Sequence, residues 1–356
     1  MSTFIQLHIL TSYPPSNLNR DDMGSPKSAI IGGTNRIRIS SQSLKRAWRA
    51  SDVFASSSSM GIRTKELGKN IVYPKLLQAG VDEKLALKVA MSISGVFGKN
   101  KTDKKDAKAG LVNEQIAFVS PEEISAIDEL IAKVASTNEE PSSKDLQILR
   151  AKTTAADLAM FGRMLASSAD NNVEASVQVA HAFTVHSVKA EDDFFTAVDD
   201  LSNEGDDAGA SHLGQREFAA GLYYLYICIN TTLLKENLTI DGNTQQAEEY
   251  AKRALRGLTE AAISVAPTGM QNSFASRARA SYVLAEKGEQ QPRSLSVAFL
   301  KAIKGDDILK SAIDSLETTR KNMNEVYGEL SSSNCILNTL EPKDTINDLL
   351  TFVEGV

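Results

Sequence analysis

The sequence is poor in the residues that make covalent or metal frameworks: its 356 residues include two cysteines and four histidines, the latter at positions 8, 181, 186 and 212. Cys228 and Cys335 cannot build a disulfide scaffold, and no CxxC or HExxH spacing offers a zinc site. Neither a metal nor another cofactor is expected. No apolar run approaches the roughly 18–20 residues that span a bilayer, which excludes a membrane-spanning helix. The amino-terminal MSTFIQLHIL carries no basic segment ahead of its apolar run, so it reads as a strand and not as a secretion signal, and a cytoplasmic location is expected. Proline (9) and glycine (21) are scarce, and with 42% hydrophobic residues the chain is too apolar for disorder. Positive charge is also short: 39 Lys and Arg stand against 45 Asp and Glu, a net of −6. That is the wrong sign for a generic nucleic-acid binder, so affinity for a polyanion has to come from a local concentration of cations.

What is present is a series of alternating and helical patterns. Residues 4–10 (FIQLHIL) predict a strand, followed from Thr11 to Arg36 by a loop rich in Ser, Asn, Pro and Gly. In RISSQSLKRAWRAS, Ser41 is the expected cap of a short helix with Leu44 and Trp48 on one face and Lys45 and Arg49 paired on another. A serine run at 56–59 breaks the pattern, and a long stretch of helical signal follows. Within it, SPEEISAIDELIAKV has Ser120 as N-cap, Pro121 in the first turn, Glu123 completing a capping box, and a stripe of Ile124, Ile127, Ile131 and Val134. The period changes from 3.6 to 2 where Val177, Val179, His181, Phe183 and Val185 alternate with small or polar residues, predicting one strand. Further strands are expected at 218–230 and 281–286, a helix at 244–263 on the stripe Ala247, Ala251, Ala254, Leu255 and Leu258, and helices from Asp306 and Asp344. The fold class is α+β: a split βαββαβ unit, as in ferredoxin-like and RRM domains, with two large insertions.

Between Arg20 and Arg49, seven basic residues (Arg20, Lys27, Arg36, Arg38, Lys45, Arg46, Arg49) meet only Asp21 and Asp22, a net of +5 that leaves −11 for the remaining chain. Mixed with Ser40, Ser41, Gln42 and Ser43, they offer point charges and neutral donors to a phosphate backbone. A solvated helix face is the plainer interpretation of the same residues. The aromatic RNP1 pattern of an ordinary RRM is missing. Tyr223, Tyr224 and Tyr226 lack its flanking Gly and basic residues and read as core or interface, so base stacking on the sheet is not expected. From Glu191 to Asp207 there are eight acidic and no basic residues, yet Phe194, Phe195, Val198 and Leu213 in this region need a partner. Either the loop folds back on its own domain, or its apolar tip enters a neighbouring subunit or wedges against a base. The aspartates show no EF-hand pattern, and neither GGTN (32–35) nor TGMQNS (268–273) makes a P-loop, so no nucleotide hydrolysis is expected. The histidines, without an assigned acid partner, read as structural.

The run LNRDDMGSPKSAIIGGTNRIRISSQSLKRAWR, with VAHAFTVH, FFTAVDDL, SHLGQREF and MQNSFA, closely resembles the CasC-like backbone subunits of type I-E CRISPR Cascade, and the similarity spans nearly the whole chain. It implies a modified RRM-like palm (1–58, 173–188 and 217–356), helical fingers inserted at 59–172 and a thumb at 189–216. The implied role is a non-catalytic, RNA-binding subunit that polymerises along crRNA and presents the guide for pairing with target DNA in antiviral defence. Its implied partners are crRNA, about six copies of itself in an open helical filament, the large, small and crRNA-end-binding Cascade subunits, and target DNA through the guide, with no membrane. By motif position, Arg20, Lys27, Arg38, Ser40, Gln42, Lys45, Arg46 and Arg49 correspond to palm contacts with the RNA backbone. Arg163 and Met164 correspond to a motif whose Met presses on bases, and Gln271 and Asn272 to further RNA contacts. Phe194, Phe195, Thr196, Val198 and Leu213 correspond to the thumb wedge that displaces every sixth nucleotide. The Lys-rich loop at 99–108, net +3, is a candidate contact to target duplex DNA. The alternative is a metal-dependent ribonuclease like the backbone subunits of type III complexes, with Asp21 or Asp22 in the cutting position.

Overall fold

The computed structural model describes residues 2–103, 106–165, 168–197 and 212–355. Along the chain, β1 (Phe4–Ser16), β2 (Ser28–Ile31), β3 (Thr34–Ile39), α1 (Ser41–Arg49) and α2 (Asp52–Ser57) are followed by β4 (Ile62–Thr64), α3 (Tyr73–Gln78), α4 (Glu83–Val96), β5 (Ala117–Val119), α5 (Pro121–Thr137) and α6 (Ala156–Phe161). Next come β6 (Val177–Val179), β7 (Ala182–Thr184), β8 (Glu191–Ala197), β9 (His212–Asn230), α7 (Thr231–Leu238) and α8 (Thr244–Ser264). The chain ends with α9 (Gln271–Phe274), β10 (Ala280–Gly288), α10 (Ile308–Tyr327), β11 (Ser333–Asn338) and α11 (Ile346–Glu354). Contacts divide it into two compact units, 1–54 with 178–229 and 255–356, and 55–177 with 230–254.

In the first unit the sheet order is β11–β10–β1–β9–β7–β3–β2, with β8 also pairing with β9. Its centre, β10–β1–β9–β7, is the interleaved order of a split βαβ unit, an RRM-like palm. Leu10 lies opposite Tyr282, His8 opposite Leu284 and Phe183 opposite Tyr224. Because successive side chains alternate faces, these share one face of the sheet, over which Ala312, Ile313 and Leu316 of α10 close a core. Ile5, Leu7, Ile9, Val283 and Ala285 on the opposite face are buried too, which is why β1 reads as an almost unbroken apolar run.

A polar cluster is buried under α10. Glu286 accepts from Arg293, from Arg320 Nε at 3.0 Å and from Ser331 Oγ at 3.2 Å. His8 Nδ1 meets the Tyr224 hydroxyl at 2.9 Å, and its Nε2 lies 3.4 Å from Glu286. The expectation that the histidines lack an acid partner is therefore wrong for His8; the partner sits on β10, far along the sequence. Burial lowers the imidazole pKa below 6.5 even though Glu286 favours its charged form. Burial also pushes the Glu286 carboxyl up, but the His8 contact together with the hydrogen bond and charge of Arg293 outweighs it and holds it well below the usual carboxylate range.

Two other expectations change. The predicted loop from Thr11 to Arg36 instead extends β1 to Ser16 and forms the β2–β3 hairpin. Its turn residues, Gly32 and Gly33, have φ of 57° and 77°, the two-residue geometry whose twist suits a hairpin. The single strand expected from 177 to 185 is broken at Ala180 and His181 into β6 and β7, leaving His181 exposed.

The second unit is built on the apolar faces of α3, α4 and α5, with Leu76, Val89, Ile93, Ile127, Ile131 and Val134 in its core. The α5 capping box forms as the sequence predicts: Glu123 N donates to Ser120 Oγ at 3.2 Å and Ser120 N to Glu123 Oε2 at 2.8 Å. Residues 230–254, expected in the palm, cluster with this unit, where Asn237 Nδ2 donates to the carbonyls of Ala159 and Glu174 at 3.0 and 2.8 Å. The α8 stripe of Ala247, Ala251, Ala254, Leu255 and Leu258 is buried as expected. Among the described residues, no helix is long and apolar enough to cross a membrane.

Candidate nucleic-acid interface

The cations gather on α1. Its N-cap is Ser40, not Ser41: Ser40 is extended and its Oγ accepts from Ser43 N at 3.3 Å. Leu44 and Trp48 are buried. At about 100° per residue, Gln42, Lys45, Arg46 and Arg49 fall within an arc of roughly 100° on the other side. Gln42 and Arg46 are exposed, and Lys45 and Arg49 half-exposed.

Backbone bonds fasten the other predicted contacts to the start of this helix. Asn19 Oδ1 accepts from Ser40 N at 2.8 Å, Lys27 N donates to Asn19 O at 2.9 Å, and Arg38 N donates to Lys27 O at 2.7 Å. Arg20 forms a bridge with Pro26 in the same loop. Arg20, Lys27, Arg38 and Ser40 are thus held on one scaffold. Arg38 donates through Nε to Ser28 O at 3.1 Å and through Nη1 to His181 Nδ1 at 3.0 Å. Partial desolvation of the ring, together with the Arg38 and Lys27 charges, lowers the His181 pKa, which keeps that nitrogen available as an acceptor. Arg36, two residues earlier on the same face of β3, is fully buried and donates to Thr34 Oγ1, Thr184 O and Phe299 O. The charge count of the island included it, but its guanidinium serves the fold.

A cleft of about 870 Å³ opens beside α1, lined by Arg20, Ser43, Arg46, Thr268, Gly269 and Arg277 among others. A Cβ on Gly269 would lie 2.6 Å from Leu18 O and 2.7 Å from Asn17 O, so the 268–272 segment presses directly on the loop that carries Arg20. This brings Gln271, half-exposed, and Asn272, exposed, to the same side of the unit. Asp21, one of the two candidate cutting residues of the ribonuclease alternative with Asp22, uses Oδ1 to accept from Met23 N and Ser25 N, both at 2.9 Å. Among the described residues there is no group of three or more His, Cys, Asp or Glu able to hold a metal ion.

The acidic insertion is a ladder at its base: β8 pairs with the first part of β9, from Glu191↔Phe218 to Ala197↔His212. Residues 198–211, including Val198, lie outside the described residues. The register divides the expected wedge. Thr196 faces Leu213 and Phe194 faces Gln215, so these four share one face, with Phe194 65% and Leu213 60% exposed. Phe195 is on the opposite face, stacked over Gly214 with the Arg216 guanidinium 4.4 Å from its ring. Among the described residues, Phe195 thus has a cation partner, whereas Phe194 is left exposed.

Arg163, expected to contact RNA, is turned into the second unit. It is 4% exposed, and its Nη1 donates to both oxygens of buried Glu123 at 2.8 and 2.7 Å. Further bonds reach Phe118 O, Arg150 O and Asn171 O. With these acceptors in place, its fork is used within the second unit. Met164, its neighbour, is 82% exposed.

The sequence pattern of the CT1975-like protein family matches residues 5–350. The chain belongs to that family. Among solved structures, this CT1975-like chain is similar to one from a complex described as "CRISPR RNA-guided surveillance complex, pre-nicking", with 29% identity and a TM-score of 0.80 over 98% of this chain and 100% of the other. It is also similar to a chain of a "CRISPR RNA-guided surveillance complex", with 26% identity and a TM-score of 0.58 over 97% and 92% of the two chains. No curated protein matches.

Sequence reasoning missed one cation that lines the cleft beside α1. Arg277 lies far from the basic island in sequence and joins it only through the packing of Gly269 on Leu18. The exposed cations of ASRARASY, immediately ahead of β10, are the local signal that marks it.

Proposed function

We propose that the chain is a non-catalytic, RNA-binding backbone subunit of a type I-E CRISPR Cascade surveillance complex, polymerising along crRNA and holding the guide open for pairing with target DNA. The observation that carries this reading is the basic arc of α1, turned away from Leu44 and Trp48, in a chain 98% of which is similar to a chain of a CRISPR RNA-guided surveillance complex. A guide scaffold has to ignore guide sequence, so it should grip phosphates and sugars and leave base edges for Watson–Crick pairing. Lys45, Arg46, Arg49, Arg20, Lys27 and Arg38 supply the charges, while Ser40, Gln42, Gln271 and Asn272 supply neutral donors. Met164, Phe194, Thr196 and Leu213 act sterically on bases, which needs no sequence information. The −11 carried outside the island disfavours RNA elsewhere. Neighbouring copies and the other Cascade subunits then assemble on the shared RNA.

RNA extracted from the purified protein tests this reading. A small RNA of one uniform length is expected, whereas RNA of random length, or none, would count against it. In Lys45→Ala with Arg49→Ala, affinity should fall for every RNA sequence, and the slope of log affinity against log salt should shrink by about 0.7 per lost contact. An unchanged slope would remove α1 from the interface.

A further inference from the structure

We propose that Arg277 grips the RNA backbone, completing with Arg20 and Arg46 a three-arginine seat for a phosphodiester. The inference rests on the function proposed above and extends it to a residue outside the basic island. All three side chains line the cleft of about 870 Å³, are exposed, and make no hydrogen bond or ion pair among the described residues. Asp21, Asp22 and Asp52 line the same cleft. Asp21 is turned to the Met23 and Ser25 amides, and none of the three forms an ion pair with these arginines among the described residues. Arginines that leave nearby carboxylates unused keep their planar forks open, and that fork matches two phosphate oxygens at once.

The segment that carries Arg277 is fixed. Met270 and Ala275, at the two ends of α9, have φ of 50° and 48°, left-handed values that non-glycine residues keep only where the surroundings over-determine them. Gly269 anchors the segment on Leu18, and Arg277 N donates to Ala275 O at 2.8 Å. A second cleft, of about 390 Å³, shares Arg20 and Gly24 with the first and reaches Gln215 and Arg216 at the foot of the β8–β9 hairpin. Arg20 therefore lines both clefts, and the second, lined also by Asp192 and Glu217, reaches Gln215, the ladder partner of exposed Phe194.

The test uses the full chain and a fluorescent oligouridine, titrated over a range of salt concentrations. Arg277→Ala is expected to weaken binding, to shrink the salt slope by about 0.7, as Arg46→Ala does, and to act alike on a mixed-sequence RNA. Arg277→Lys should restore the slope, since the charge returns, but only part of the affinity, since the fork does not. If Arg46→Ala changes slope and affinity while Arg277→Ala changes neither, the inference is overturned and the proposed function stands. If neither variant matters, both fall. Should Arg277→Ala melt below the parent, Arg277→Gln, which keeps most of the stem, reads the same slope.

Discussion

Replacing Arg163 separates a structural role from an RNA-binding one. The Glu123 carboxylate is fully buried and accepts from Ser120 N, Arg150 N and Arg163 Nη1. In Arg163→Ala two backbone donors would remain to compensate a buried charge, and the carbonyls of Phe118, Arg150 and Asn171 would lose their guanidinium donor. Removing one partner of a buried pair costs about 3–5 kcal/mol, because the surviving charge stays desolvated. With a urea dependence of roughly 1–3 kcal/mol per molar, a loss of about 4 kcal/mol lowers the unfolding midpoint by about 2 M. Urea titration followed by far-ultraviolet circular dichroism reads that shift in the helices. The double variant Arg163→Met, Glu123→Gln should recover part of it, since the neutral amide oxygen still caps Ser120 N and no orphan charge remains. An Arg163→Ala protein as stable as its parent but weak in RNA binding would refute this reasoning and return Arg163 to the interface.

On the hairpin, Phe194→Ala with Leu213→Ala should leave stability within about 0.5 kcal/mol, as exposed positions usually do. The same pair should erase a six-nucleotide pattern in chemical probing of RNA along a filament; retention of the pattern would remove that face from the wedge. At the β2–β3 turn, a Cβ on Gly32 would overlap the Leu300 carbonyl oxygen at a positive φ, so Gly32→Val should lower the melting temperature well beyond Gly33→Ala, which meets open space. Equal melting of the two would show that the turn tolerates the contact. Acid should weaken the fold in two steps. His8 is held neutral when folded, so its contribution is present above its unfolded value of 6.5 and is lost as pH falls below it. Glu286, held ionised, adds a second loss below 4.5. In His8→Gln the upper step should shrink to the share of His181 and His186, whose pKa values folding also lowers, and the lower step should weaken because His8 helps hold Glu286 ionised; an unchanged profile would place the titration elsewhere.

Local chemistry was readable wherever one element decided it. The α5 capping box needs only Ser120 and Glu123 three residues apart, and the α1 amphipathy needs only the helical period. β1, β9 and β10 were legible because strands covered on both faces are almost continuously apolar. The Thr11–Arg36 segment misled because its Gly-Gly pair has the same composition in a hairpin turn as in a loop, and only a paired strand distinguishes the two. The same limit applies to the interface. Sequence determined that cations are concentrated between residues 20 and 49 and absent between 191 and 207. It could not determine where each cation goes, because a guanidinium binds a buried acceptor as readily as a phosphate. Only the tertiary structure turned Arg36 onto Thr184 and Phe299, closed Arg163 on Glu123, set Phe194 and Phe195 on opposite faces of a ladder, and brought Arg277 to the cleft of Arg20 and Arg46. Those outcomes depend on which distant backbone oxygens and carboxylates the fold places within a few ångströms, and no spacing along the chain encodes that.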